Sequence, residues 1–407
     1  MQQMIGAVRT YAWGSRTALA RLQGRPAPAP HPEAELWMGA HPAAPAQLLG
    51  PDGAQSLLEL LAADPQHHLG SRSRARFGDR LPFLLKVLAA DEPLSLQAHP
   101  SAEQAEQGFA REQAHGLRLD SPARNYRDSS HKPELICALT SFEALAGFRA
   151  AADTVQLLTA LQGPQLAAYT SLLSGQPDSA GLRALFTTWI TLPRSALDEL
   201  LPEVLDSCVR HIREHGQFTA ETRSILELGE AYPGDAGVLA ALLLNRLTLT
   251  PGQALYLPAG NLHAYLRGVG VEVMANSDNV LRGGLTPKHV DVPELLRVLD
   301  FTAGEPPVLA GAGSGVWRSY STPTAEFALS CADLPAGGCV SLGHQGPQIL
   351  LCTAGAVHCS AGDTTVQLAP GASAWVPAAD GPVRVCAGGS GAQVFRVTDG
   401  LGDGADG

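Results

Sequence analysis

An eleven-residue pattern that occurs twice limits most strongly what this chain can fold into. Leu249-Thr250-Pro251-Gly252-Gln253-Ala254-Leu255-Tyr256-Leu257-Pro258-Ala259 returns as Leu368-Ala369-Pro370-Gly371-Ala372-Ser373-Ala374-Trp375-Val376-Pro377-Ala378, with Leu, Pro-Gly and Pro-Ala at the same spacings. A Pro-Gly turn, an apolar strand and a Pro-led turn form a recurring unit of double-stranded β-helix barrels. The 43 glycines and 30 prolines mostly punctuate short apolar runs in the same way. A mainly β chain with two such barrels is therefore expected.

A different texture separates the two copies. From about 151 to 232 the apolar residues recur at helical spacing, as in Leu197, Leu201, Val204, Leu205, Cys208, Val209 and Ile212, with Ser195 and Asp198 placed as a helix start and Gly216 as its stop. The expected organisation is a first part of one barrel over 1–150, a helical insert over 151–236, the second part of that barrel over 237–310, a second barrel over 311–400 and a disordered tail over 401–407.

Metal-capable side chains cluster in the first barrel. Pro93 to Pro100 reads as a strand in which Gln97 and His99, two residues apart, face the same way. Pro100 ends it, and Ser101 with Gln104 has the form of a capping box. His131-Lys132-Pro133-Glu134 packs a base, a cation and a carboxylate together, and Leu257 to His263 delivers a histidine after a strand and a turn. Gln97, His99, Glu134 and His263 make an N2O2 set that suits Zn²⁺. One ion per chain is expected, because the second copy reaches Pro382 where the first reaches His263.

A formal charge of −11, with no basic run interleaved with aromatics, opposes nucleic acid or anionic lipid as partners. An anionic small molecule stays possible, since local Lys and Arg override the global field within about 8–10 Å. No uninterrupted apolar run has membrane-spanning length, so a cytosolic protein without membrane partners is expected. Seven scattered cysteines without a Cys-x-x-Cys pair are expected to be thiols. Lys86, inside the apolar run Leu81 to Leu88, needs either a strand end from which it reaches water or an anion in a pocket.

Several stretches together are similar to one family: Tyr11-Ala12-Trp13-Gly14, Glu35-Leu36-Trp37-Met38-Gly39, Pro82 to Leu88, Pro93 to Pro100, His131 to Glu134, Pro258 to Tyr265 and Gly270 to His289. They resemble the type I mannose-6-phosphate isomerases, zinc enzymes of the cupin class, over most of 1–150 and 245–301. The insert and the second barrel are similar only in placement. The resemblance implies two cupin-type barrels plus an α-helical domain, working as a monomer on a sugar phosphate. Its zinc ligands fall on Gln97, His99, Glu134 and His263; its phosphate-contacting serine and pocket lysine on Ser95 and Lys86; its active-site arginine on Arg282. Trp13 and Lys288 join the substrate site. Val273 replaces a usual Ile and Ser130 a common Asn, and neither change removes a reactive group.

The implied reaction interconverts D-mannose 6-phosphate and D-fructose 6-phosphate through a cis-enediol. It needs a base near C1 and C2 and positive charge near the oxygens. Arg282 is expected to supply the charge, unless it forms a structural ion pair with Asp278. Lys132, Glu272, Asp278 and His131 are all candidates to move the proton. Two other classes share such barrels, metal-dependent oxygenases and sugar-binding modules. An oxygenase usually has a histidine-rich set on iron, and a binding module has no need of Lys132, Asp278 and Arg282 together.

Overall fold

The structure, a computed structural model, describes all residues other than 52, 215, 314, 315, 344 and 403–407. Most of the tail expected to be disordered thus lies outside the described residues. Among those described, twenty-one strands and eleven helices follow one another, and the strands form an eleven-stranded and a ten-stranded sheet with antiparallel pairing throughout. None of the described helices is long and apolar enough to cross a membrane.

The eleven-stranded sheet turns on one long strand, His263–Ala275. Its first residues pair with Phe142–Phe148 and Gln97–Ala98, whereas its later ones lie between Phe83–Ala90 and Glu134–Ala138. The change of partner follows a register shift between Tyr265 and Arg267 and comes at Gly268, whose φ of +127° and close approach to Ser141 exclude a side chain. A bulge of this kind bends a strand from one layer into the next. It brings His263 opposite Gln97, and both line one chamber with Glu134.

The repeated sequence does form matching units. Ala254–Leu257 and Ser373–Val376 are strands in different sheets, each preceded by a glycine in the left-handed region, Gly252 at +88° and Gly371 at +78°. One buried cluster joins the two sheets, with Phe83, Val87, Leu135 and Val271 from one against Ile349, Trp375, Phe395 and Val397 from the other. The chain's first strands also link them. Gln2–Ile5 pairs with Ser373–Val376 and Gln47–Gly50 in the ten-stranded sheet, while Ala7–Arg9 pairs with Glu35–Met38 in the other. Residues 1–150 are thus divided between both sheets and do not all belong to the first, because strand pairing, which composition does not reveal, decides membership.

Helices Ala151–Ala160 through Thr219–Ala231 bury their apolar faces in a core continuous with Leu96, Ala98, Leu145 and Leu281 beneath the Gln97 strand. Ser195 does not cap the helix Arg194–Arg213. Pro193 occupies the cap position, its fixed φ suiting the entry, and Arg194 pairs with Asp198 at 2.8 Å. The helix ends before Gly216. The box at Ser101 is made, with Ser101 Oγ accepting from the Gln104 amide and Gln104 Oε1 from that of Ser101. The strand read over 93–100 shortens to Gln97–Ala98, which leaves His99 just beyond it.

The cysteine expectation fails at one pair. Cys339 and Cys386 stand directly opposite on neighbouring strands, Cα atoms 4.1 Å apart, and form a disulfide. The pairing depends on register across 47 residues of sequence, which spacing cannot reveal. The other five cysteines are free and buried.

Candidate active site

Three side chains meet where the bulged strand brings its ends together. One ligand-capable atom from each of His99, Glu134 and His263 lies within 4.8 Å of the others, and all three residues are buried. His99 Nδ1 donates to the Asn279 carbonyl at 2.7 Å, which leaves Nε2 facing Glu134 Oε1 at 3.3 Å. His263 Nδ1 donates to the Asn261 carbonyl, leaving its Nε2 3.4 Å from Glu134 Oε2. Backbone carbonyls therefore fix both rings with the same nitrogen turned inward, as in metal-binding histidines.

Electrostatics suit the same end. Burial pushes the His99 imidazole down, toward the neutral form that offers a lone pair. Burial opposes ionisation of Glu134, but His99, Lys132 and His263 outweigh it and hold the carboxyl well below its usual value. The inward Nε2 of His99 is buried with no hydrogen-bond partner, an unmet demand that a cation removes. Gln97 lines the same chamber of about 60 Å³.

A larger cavity of about 640 Å³ opens above this chamber, and Glu35, Lys86, Leu94, Gln97, Lys132 and Met274 line both. Lys132, with Nζ 3.2 Å from Glu134 Oε1, is the only one of the four proton-transfer candidates found in both linings. Glu272 lines only the inner chamber. It accepts from the Tyr265 hydroxyl at 2.8 Å, and burial with the Glu134 carboxylate pushes it up to about 7. Asp278 lines only the outer cavity. His131 lines neither. Its Nε2 lies 2.8 Å from Glu326 in a separate cleft of about 400 Å³ between the sheets, so it turns away from Lys132.

Lys86 has anionic partners within the protein. It stands mid-strand at 7% exposure, with Nζ 3.3 Å from Glu35 and 3.7 Å from Glu272. Burial lowers its basicity, but Glu35 and Glu272 more than restore it. The strand-end explanation for this lysine fails, and the anions beside it include Glu35 and Glu272, which arrive from two neighbouring strands and line the cavities with it. Arg282 makes no ion pair among the described residues, and Asp278 instead faces His41 at 3.2 Å. Arg282 and Lys288 are both pushed down by burial and then by neighbouring cations, Arg127 for each and Arg282 for Lys288. These three cations share the cavity lining with Ser95 and with Trp13, which stacks on Tyr11.

Sequence reasoning missed Arg127, Glu35, His41 and Asn279. Arg127 lies four residues before His131, and its charge beside that segment was the available signal. Glu35 and Asn279 stood inside segments quoted for the resemblance, but Lys86 for Glu35, His99 for Asn279 and Asp278 for His41 are distant in sequence.

A β fold with a buried histidine–carboxylate cluster able to hold a metal ion, under a cation-lined cavity, is the arrangement of a metal-dependent enzyme site. The phosphomannose isomerase type I catalytic domain matches residues 1–151. Mannose-6-phosphate isomerase of Escherichia coli K12 is 40% identical over 404 residues, covering 97% of this chain and all of the relative. The human enzyme of that name is 38% identical over 315 residues, 73% of this chain and 72% of its own. A crystal structure of zinc-bound mannose 6-phosphate isomerase superposes with a TM-score of 0.88 at 38% identity, covering 98% of this chain and 99% of that one. The chain belongs to the type I mannose-6-phosphate isomerases.

Proposed function

We propose that this chain interconverts D-mannose 6-phosphate and D-fructose 6-phosphate with one zinc ion held by Gln97, His99, Glu134 and His263. The observation that carries the metal reading is the neutral, inward and unpartnered His99 Nε2 between Glu134 and His263. When bound, zinc would orient and polarise the sugar oxygens at C1 and C2. The isomerisation then runs through a cis-enediol, with Lys132 as the base that moves the proton between the two carbons. Its place in both linings supports that choice, and Glu272, near 7, is the alternative. Arg282 is paired in register with Gln97 and lines the larger cavity above the chamber, which supports its guanidinium as the donor that stabilises the developing oxyanion.

The phosphate is assigned to Arg127 and Lys288, with Ser95 as a neutral donor. Lys86 is the weaker choice because Glu35 and Glu272 already balance its charge. Arg127→Ala/Lys288→Ala is expected to raise KM for mannose 6-phosphate at least tenfold with a smaller change in kcat, since these contacts hold ground state and transition state alike. Lys86→Ala should lower kcat more than it raises KM. Steady-state kinetics on both variants checks the two assignments, and the reverse pattern would return the phosphate to Lys86.

Each sheet is read as a cupin-type double-stranded β-helix. The fragments 1–150 and 237–310 supply the catalytic barrel apart from Gln2–Ile5, Gln47–Gly50 and Gly53–Ser56, which join 311–400 in a second barrel without ligands, and 151–236 is a helical support for the floor of the first. Conversion of mannose 6-phosphate, measured before and after chelation and after zinc is restored, tests the whole reading. Activity untouched by complete metal removal excludes the zinc enzyme, and metal binding without turnover leaves a sugar-binding module.

A further inference from the structure

We infer that His41 is a positioning residue for this reaction: its Nε2–H holds the Asp278 carboxylate turned into the cavity as an acceptor for a hydroxyl of the sugar phosphate. His41 follows the strand Glu35–Met38 and is 5% exposed. Its Nδ1 accepts from the Ala43 amide at 3.2 Å, so the ring proton resides on Nε2, the atom 3.2 Å from Asp278 Oδ1. The ring also meets Trp37 edge-on, with centroids 5.0 Å apart, and Trp37 is fixed by donating Nε1–H to Glu35 at 2.8 Å. Tautomer and orientation are thus set before any substrate arrives.

Asp278 is held from its other side by its own amide, which donates to Asp128 Oδ2 at 2.8 Å. Its side chain remains 49% exposed, and both residues line the 640 Å³ cavity. The charged groups acting on this carboxylate are His41 from the loop after Glu35–Met38, and Lys132 and Arg127 from the segment leading to Glu134, where Asp128 accepts from the Asp278 amide. Burial opposes ionisation, but the His41 hydrogen bond outweighs it, helped by Lys132 and Arg127, and holds Asp278 below its usual value. Such a carboxylate accepts a hydroxyl hydrogen bond at neutral pH and is a poor proton donor. Removing His41 raises the pKa of Asp278, so the acid limb of the rate profile moves to higher pH.

The inference rests on the isomerase reading, and its test separates the two. His41→Phe keeps a ring against Trp37 without the donor, and His41→Gln restores an N–H near the Nε2 position. In the zinc-loaded enzyme, His41→Phe should lower kcat/KM for mannose 6-phosphate about 10- to 100-fold, the effect of losing a hydrogen bond to a charged group, with its acid limb shifted upward. His41→Gln should recover most of the loss and the wild-type limb. Asp278→Asn should be costly alone and add little to His41→Phe, because the two act as one unit. A wild-type pH profile in His41→Phe, no recovery in His41→Gln, or simple additivity with Asp278→Asn each overturns the role of His41 while leaving the isomerase reading standing. If Asp278→Asn is harmless by itself, the assignment of Asp278 fails and the inference goes with it.

Discussion

The His99→Ala/His263→Ala variant is expected to fold, to hold no zinc and to lose at least about 10³-fold in turnover of mannose 6-phosphate, since a bound metal contributes several kcal/mol at the transition state. Both nitrogens facing Glu134 disappear, leaving one carboxylate and one amide, too few for a tetrahedral ion. Folding should survive because the strands around the chamber are tied by their own ladders, Gly268 to Ala275 against Phe83–Ala90 and Gly270 to Met274 against Glu134–Ala138. Elemental analysis of the wild type should give one equivalent, as the second sheet has Pro382 where His263 stands. Two equivalents in the wild type, or a full equivalent kept by the double variant, contradicts the assigned ligands.

Arg282→Ala should reduce kcat by about 10²–10³, the usual effect of removing an oxyanion donor, about 3–4 kcal/mol. KM should change much less, and zinc content and melting temperature should stay close to wild type. Arg282 has no carboxylate partner among the described residues, so its loss strands no buried charge, and the ion pair that offered a structural explanation is absent because Asp278 faces His41. Arg282→Lys should recover only part of the rate, because an ammonium keeps the charge without offering two parallel donors. A large rise in KM at unchanged kcat would instead join Arg282 to Arg127 and Lys288 as a phosphate contact. Loss of metal or of the fold would make it structural.

The His99–Glu134–His263 cluster was legible because each member sits in a short local pattern: His99 before a proline and two after Gln97, the proposed fourth ligand, Glu134 after His-Lys-Pro, His263 after a Pro-led turn. The matching turns at Gly252 and Gly371 were legible for the same reason. What failed depended on register or direction. Cys339 and Cys386 oppose each other only once their strands are aligned. Lys86 finds its anions on Glu35–Met38 and His263–Ala275, so its burial was readable and its partners were not. His131 could have been doubted from sequence. Pro133 favours an extended Lys132, and in an extended segment alternate residues face together, so Lys132 and Glu134 turn inward as His131 turns out.

The opening strand imposes an order of events on the nascent chain. Gln2 lies opposite Trp375, and one residue, Gly6, separates that strand from Ala7–Arg9 in the other sheet. At roughly 5–20 residues per second of synthesis, Gln2–Ile5 is made about 20–75 s before Ser373–Val376, one of the two strands it pairs with. Meanwhile Ala7–Arg9 can already find Glu35–Met38 and Gln2–Ile5 can find Gln47–Gly50, leaving the other side of the first strand as an open edge beside a half-built molecule. The ten-stranded sheet closes only when the last quarter of the chain returns to its beginning, a non-local step of the kind that folds slowly. Deleting or sterically blocking residues 2–5 should therefore impair assembly of the sheet that carries no metal ligand, while the zinc-binding strands have already formed.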